Sequence, residues 1–358
     1  MNINVSNTFW EVLDKAKISV IVSTYQAGRL MIFRNQQNPD KKSLNSHFRT
    51  FRKAMGIAAN RQRLAIGTLN GIEEFHNMPA IAGKLEPSGH DACFMHRNTY
   101  ITGNIDIHEM DWVDDELWFV NTKFSCLCTL DEDSSFVPRW RPPFISGLAP
   151  EDRCHLNGLA VVDREPKYVT ALGVGDTVQA WRENKRDGGM IMDVTTNEFV
   201  ARGLSMPHSP RWYRDKLWVL ESGKGSLATV DLETGALETI VQLPGFTRGL
   251  DFYRNLAFIG LSKLRCKSEA DRAIFSNIPL TDECEERTCG VSVVDIEQGK
   301  VVATIVFEDA VEEIFAVKAL PGICFPEVVD ISQDSFSSLL ANSFALDQST
   351  LAQVPSTL

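Results

Sequence analysis

Three histidines carry the most chemical potential in this chain: His108 with Asp106 beside it, His155 with Asn157, and His208 with Ser209. Arg248 and the pair Glu312 and Glu313 follow further along. Imidazole nitrogens and a carboxylate suit Fe, Zn, Cu or Mn, and three histidines with one carboxylate can hold such an ion while leaving a position open for substrate. An ion held that way polarises a carbonyl or lowers the pKa of a bound water. On this reading His108, His155, His208 and Glu313 are the metal ligands. Glu312 and Glu313 are candidate acid–base groups, and Arg248 clamps a substrate carboxylate or phosphate. Asn157, Ser209, Arg153, Trp181 and Arg182 are expected to contact substrate, and Asp106 and Glu109 to orient the His108 ring. Each role has a plainer counterpart: a histidine that hydrogen-bonds a neighbouring backbone, or an arginine paired with Glu312 or Asp251.

Residues so far apart in sequence act together only where a repeating fold brings them to one axis. Residues 204–234, LSMPHSPRWYRDKLWVLESGKGSLATVDLET, present the repeat unit most clearly. A polar segment at Met206–Pro210 is followed by apolar runs at Leu217–Leu220 and Ser226–Asp231, with turn residues between, which reads as strand, turn, strand, turn, strand. Related units fall at 51–75, 104–131, 154–173, 245–263 and 311–329, and their matched positions are Gly56, His108, Asn157, Ser209, Gly249 and Glu313. A period of roughly 40–50 residues holding up to four short strands predicts a β-propeller. The last interval is stretched by an insertion at Leu264–Cys289. The sixth unit lacks its outer strands, and the hairpin at 18–33 is suited to supply them. The expected fold is therefore all-β, a six-bladed β-propeller closed by an N-terminal hairpin. The first strand of each blade lines the channel, where the candidate residues converge.

Between the units, residues 34–50 and 76–103 read as connections. Arg139–Arg153, with three prolines, and Trp181–Gly189 mix aromatic and basic residues and read as irregular loops able to wall a site. Residues 1–329 form one expected domain, and 330–358, rich in Ser, Leu and Ala, a tail that is frayed or holds a short helix.

A formal net charge of −11 disfavours nucleic acid as a partner, because phosphate neutralisation needs clustered Lys and Arg. No apolar stretch reaches membrane-spanning length and Met1–Lys17 is polar, so no membrane role is expected and a cytoplasmic location is. The eight cysteines read mostly as free thiols. Cys126 and Cys128 share a strand face and suit buried packing, while a zinc clip from Cys266, Cys284 and Cys289 lacks a fourth ligand.

The motifs RWRPPFISGLAPEDRCHLNGLA (139–160), AWRENKRDGG (180–189), GLSMPHSPRW (203–212), LPGFTRGLDF (243–252) and VEEIFAVKALPGICFPE (311–327) closely resemble a family of cyanobacterial and proteobacterial proteins known only as conserved hypothetical proteins of unknown function. The resemblance covers most of residues 15–327. It implies a propeller-type domain, joined in some relatives to tetratricopeptide repeats not found in this sequence, and it implies no activity. The functional expectation thus rests on the residues: a metal-dependent enzyme of hydrolase, lyase, cyclase or oxygenase type acting on a small polar or peptidic substrate in the axial pocket. The alternative is a non-catalytic scaffold that binds a protein or peptide partner through its loop face.

Overall fold

The structure, a computed structural model, describes residues 2–35, 43–263, 277–283, 287–330, 333 and 337–339. Six sheets stand around one axis, and the innermost strand of each touches the innermost strand of the next until the ring closes. Blade 1 runs outward as Ile57–Ala59, Arg63–Gly67, Gly71–Asn77 and Ala92–Ile101. Blade 2 contains Ile107–Val113, Glu116–Asn121, Cys126–Thr129 and Val137–Trp140, and blade 3 Leu156–Val162, Glu165–Ala171, Gly189–Asp193 and Phe199–Leu204. Blade 4 contains Pro207–Tyr213, Lys216–Glu221, Ser226–Val230 and Leu237–Gln242, and blade 5 Phe246–Tyr253, Leu256–Ser262, Cys289–Asp295 and Lys300–Phe307.

Blade 6 joins the two ends of the chain. Its innermost strand is Ala316–Pro321, and its outer strands are Ile18–Thr24, Arg29–Asn35 and Leu44–Thr50. Val22 lies opposite Val317 and Val20 opposite Ala319 in an antiparallel ladder. The closure expected from the hairpin at 18–33 is present, with one more strand than anticipated. Ile18–Thr24 is buried at every position because neighbouring blades cover both its faces, and its sequence accordingly holds only apolar residues and the small hydroxyl residues Ser19, Ser23 and Thr24. Outer strands alternate instead, as Lys300–Phe307 does.

Apolar side chains fill the spaces between blades. Phe33 and Phe307 pack between blades 5 and 6, Phe75 and Phe119 between blades 1 and 2, and Phe258 joins the first group, all fully buried. Each such burial contributes about 1.5–3 kcal/mol. Backbone carbonyls at the blade starts are met by hydroxyls from the preceding blade: Ser23 donates to Met55 O (2.5 Å), Thr122 to Leu156 O (2.6 Å), Ser222 to Thr247 O (2.5 Å) and Ser262 to Ile314 O (3.2 Å). These staples satisfy carbonyls that are cut off from water.

Several sequence expectations are corrected. Residues 34–50 and 76–103 are not plain connections: Leu44–Thr50 and Ala92–Ile101 are outer strands of blades 6 and 1. Their polar residues are tolerated because one face looks outward. Pro326–Val329 leaves the sixth unit and runs parallel to Ala92–Ile101 as a fifth strand of blade 1. Arg139 and Trp140 belong to a strand of blade 2, so the irregular segment starts after them. Ile3–Val5 adds to blade 5 and Phe9–Ala16 is a helix whose Phe9, Leu13 and Ala16 are buried. Met1, Cys266 and Cys284 lie outside the described residues, as does most of the 330–358 tail.

The repeat phase also shifts. Ile107, Leu156, Pro207 and Thr247 pair with Asn121, Ala171, Glu221 and Leu261, and in blades 2, 4 and 5 that partner is the residue before the stapling Thr122, Ser222 or Ser262. The next residues, His108, Asn157, His208 and Arg248, are therefore equivalent, and Ser209 and Gly249 sit one place beyond them. Gly249 adopts φ +80°, and a Cβ there would meet Val317 N at 2.7 Å, so the strand can approach blade 6 only as glycine.

Candidate active site

At the end of the ring where the innermost strands begin, a cavity of about 640 Å³ opens. His108, His155, His208, Arg248 and Glu313 all line it, together with Trp181 and Arg182. Two of the histidines are held in the same way. His108 Nδ1 lies 3.0 Å from Asp106 O and 2.8 Å from Thr122 Oγ1, and His208 Nδ1 lies 3.0 Å from Met206 O and 2.9 Å from Ser222 Oγ. Thr122 and Ser222 spend their own protons on the next blade, so each hydroxyl accepts here and each Nδ1 carries the hydrogen. The neutral rings consequently hold their lone pair on Nε2, which has no protein partner among the described residues. Burial, and after it the charge of Arg248, push both imidazoles well below their ordinary pKa.

His155 differs because it precedes its strand. It occupies a left-handed conformation (φ 52°), two residues before Asn157 and just ahead of the strand, with its ring in the cavity lining against Trp181. Its Nδ1–H meets both oxygens of Asp152, at 2.9 and 3.0 Å, and Trp181 Nε1–H donates to Asp152 Oδ2 at 3.0 Å. Asp152 is thus fixed from two sides and in turn fixes the ring.

Planar groups form a continuous wall. Arg182 lies over Trp181 (4.8 Å), Trp181 against His155 (4.4 Å), His155 against His108 (4.8 Å), His108 against Phe315 (5.1 Å), and Phe315 beneath the Arg248 guanidinium (3.6 Å). Arg248 Nη1 lies 3.5 Å from Glu313 Oε1, so the carboxylate braces it. Lys53 reaches Asp106 at 2.5 Å and lies 5.1 Å from the Tyr25 ring centroid.

Beyond the pocket the channel is occupied. Arg211, three residues along the strand from His208, donates through Nη2 to Glu109 Oε1 at 2.8 Å and through Nη1 to Pro210 O (2.8 Å) and Leu159 O (3.3 Å). That ion pair joins blade 4 to blade 2 across the front of blade 3. Glu109 therefore faces Arg211 and does not orient His108, while Asp106 does so through its carbonyl rather than its carboxylate.

Other expected site residues lie elsewhere. Asn157 is buried in the channel and accepts from Thr170 Oγ1 (2.6 Å). Ser209 accepts from Gly249 N (3.1 Å) and serves as an inter-blade contact. Arg153 pairs with Glu151 and Asp176, both at 2.7 Å, and ties two loops together outside the pocket. Glu312 receives Lys263 N at its carbonyl and does not line the cavity. Among the described residues no three His, Cys, Asp or Glu side chains are gathered closely enough to hold a metal ion. The four expected ligands surround one pocket, but His155 stands two residues ahead of the position that His108 and His208 share, and Glu313 is engaged by Arg248.

Asp152, Lys123, Tyr25, Lys53 and Phe315 line the pocket without having been singled out from the sequence. The matched spacing His108–Thr122 and His208–Ser222, fourteen residues in both, was a readable signal for the pinned rings. Cys126 and Cys128 are buried with sulfurs 3.5 Å apart, and burial in an apolar cluster keeps them as packing groups.

The fold is similar to that of a chain in a nidogen–laminin complex (TM-score 0.53, 8% identity, covering 86% of this chain and 99% of that one). It is also similar to a protein of unknown function from Bacteroides caccae (TM-score 0.51, 10% identity, covering 85% and 98%). Identities this low carry the propeller architecture alone. No protein of curated function matches the sequence. No helix among the described residues is long and apolar enough to cross a membrane.

Proposed function

Because the chain belongs, over residues 7–329, to the family described as Domain of unknown function (DUF4915), we propose a function from its pocket: an enzyme that removes a proton from a small polar substrate, with His155 as the base. The observation that carries this reading is the Asp152 carboxylate gripping His155 Nδ1 with both oxygens while His155 lines the cavity. A base oriented by a carboxylate, with its second nitrogen open to substrate, is the arrangement that proton abstraction requires. His108 and His208, neutral and fixed, accept hydrogen bonds from substrate O–H or N–H groups. Arg248, braced by Glu313, balances negative charge that develops as the proton leaves. Hydrolysis, elimination and cyclisation all contain such a step.

A second reading, a divalent metal at Nε2 of His108 and His208, is supported by the way a carbonyl and a hydroxyl hold each Nδ1–H, as they do for metal-bound histidines. Nitrogen-15 NMR of the imidazoles and elemental analysis of protein purified without chelator separate the two. The proton-transfer reading expects Nδ1–H tautomers at all three rings and no stoichiometric metal. An Nε2–H tautomer at His155 would sink it, and one bound ion per chain, lost in a His108→Ala/His208→Ala variant, would replace it with the metal reading.

A further inference from the structure

The pocket combines two recognition surfaces at different depths. Deep in it, His108 and His208 present hydrogen-bond acceptors that burial keeps neutral. Such acceptors select a ligand rich in O–H or N–H donors, since an unmatched buried acceptor is costly. Around the mouth the balance is cationic. Lys123, Arg182 and Lys263 line the cavity and make no ion pair among the described residues, whereas the acids there are already engaged. Glu151 pairs with Arg153, Asp152 with His155, Asp106 with Lys53, and Glu313 with Arg248. Three unpaired cations at one opening stand out in a chain of net charge −11. They create a local field that draws an anion, and Arg182 offers its planar fork to a phosphate or carboxylate. Trp181, Phe246 and Phe315 add apolar surface to the same lining, which suits the C–H edges of a sugar ring beside its hydroxyls.

We propose that the ligand is a polyhydroxylated organic anion, a sugar-like molecule whose charged group rests on Lys123 and Arg182 and whose hydroxyls donate to His108 and His208. This rests on the pocket being the active site, and it names the class of substrate. The anion can be a phosphate ester or a carboxylate, because both satisfy the same cations.

Calorimetric titrations with glucose 6-phosphate, glucuronate, glucose and inorganic phosphate test it, on the full chain and on a Lys123→Ala/Arg182→Ala variant. Among the described residues neither side chain makes a hydrogen bond or ion pair, and Arg182 stacks on Trp181, so folding is checked by comparing melting curves. Expected is binding of glucose 6-phosphate or glucuronate at least about tenfold tighter than of glucose or phosphate alone, with the advantage over glucose lost in the variant. The preferred sugar acid identifies which anion is read. Equal binding of phosphate and glucose 6-phosphate, undiminished binding in the variant, or no binding of any of the four compounds overturns the proposal. Imidazole spectra recorded in the same samples keep the outcomes distinct: Nδ1–H tautomers without ligand binding remove the substrate class only, whereas an Nε2–H tautomer at His155 removes the proton-transfer reading as well.

Discussion

His108 and His208 differ from free histidine in one measurable way. Both rings are buried neutral, with a folded pKa well below that of the unfolded chain, which is near 6.5. Above pH 6.5 neither state takes up a proton and the difference has no effect. As the pH falls through 6.5, the unfolded chain binds protons that the folded chain refuses, so stability declines. Each such group contributes a slope of about 1.4 kcal/mol per pH unit until its folded pKa is reached. Urea denaturation at a series of pH values between 7 and 5 is expected to show this decline, and a His108→Gln/His208→Gln variant to show a shallower one. An unchanged slope in the variant would mean that other groups control acid stability. The same pinning explains why these rings were only half readable in the sequence. Their number and recurrence are visible there, but whether a histidine presents Nδ1 or Nε2 depends on a hydroxyl from the neighbouring strand, which only the pairing register reveals.

At the scale of strands, the parallel strand Pro326–Val329 is held by one carboxylate. Glu327 lies 2.8 Å from Arg49 Nη2, 3.1 Å from His47 Nε2, 3.4 Å from Arg34 Nη1 and 3.6 Å from His90 Nε2, joining blade 6 to the edge of blade 1. Burial pushes this carboxyl up, but the imidazoles of His47 and His90 close beside it and the charge of Arg49 outweigh it and hold it far below the usual range. Its stabilisation is therefore complete above the unfolded value near 4.5 and fades as the pH drops below it. Replacing it, Glu327→Gln, strands the Arg34 guanidinium, whose side chain is only 4% exposed, and is expected to cost about 3–5 kcal/mol in a denaturant titration at neutral pH. A loss under 1 kcal/mol would show that the strand is secured by its backbone ladder instead. This strand was not legible in the sequence. PEVV follows the sixth unit without a break, and nothing local says that it crosses to another blade. The ladder of four strands per blade was legible because apolar runs and turn residues repeat. Leu44–Thr50 and Ala92–Ile101 escaped because outer strands keep polar residues on their open face. The one-residue slip at Ser209 arose from the bulges after Thr247 and His208, since pattern matching assumes that strands advance evenly.

For the molecule as a whole, the Glu109–Arg211 pair ties blade 2 to blade 4. Both side chains are nearly inaccessible, at 5% and 11%, and they bridge blades that are not neighbours. Removing one partner by Glu109→Gln is expected to destabilise the protein by about 3–5 kcal/mol, while Glu109→Leu/Arg211→Met together costs far less, because no charge is then left alone. Chemical denaturation of the two variants checks this, and equal losses would show that shape, not charge, makes the contact. Blade 6 bears on the pocket. Tyr25 comes from the first hairpin, while Glu313 and Phe315 come from the segment leading into the last inner strand. During synthesis the ring therefore stays gapped until residues 316–321 have left the ribosome, and the cavity lacks a wall for all of that time. Ligand can reward only the finished chain. A nascent or truncated product, however well its first five blades fold, lacks one side of the cavity.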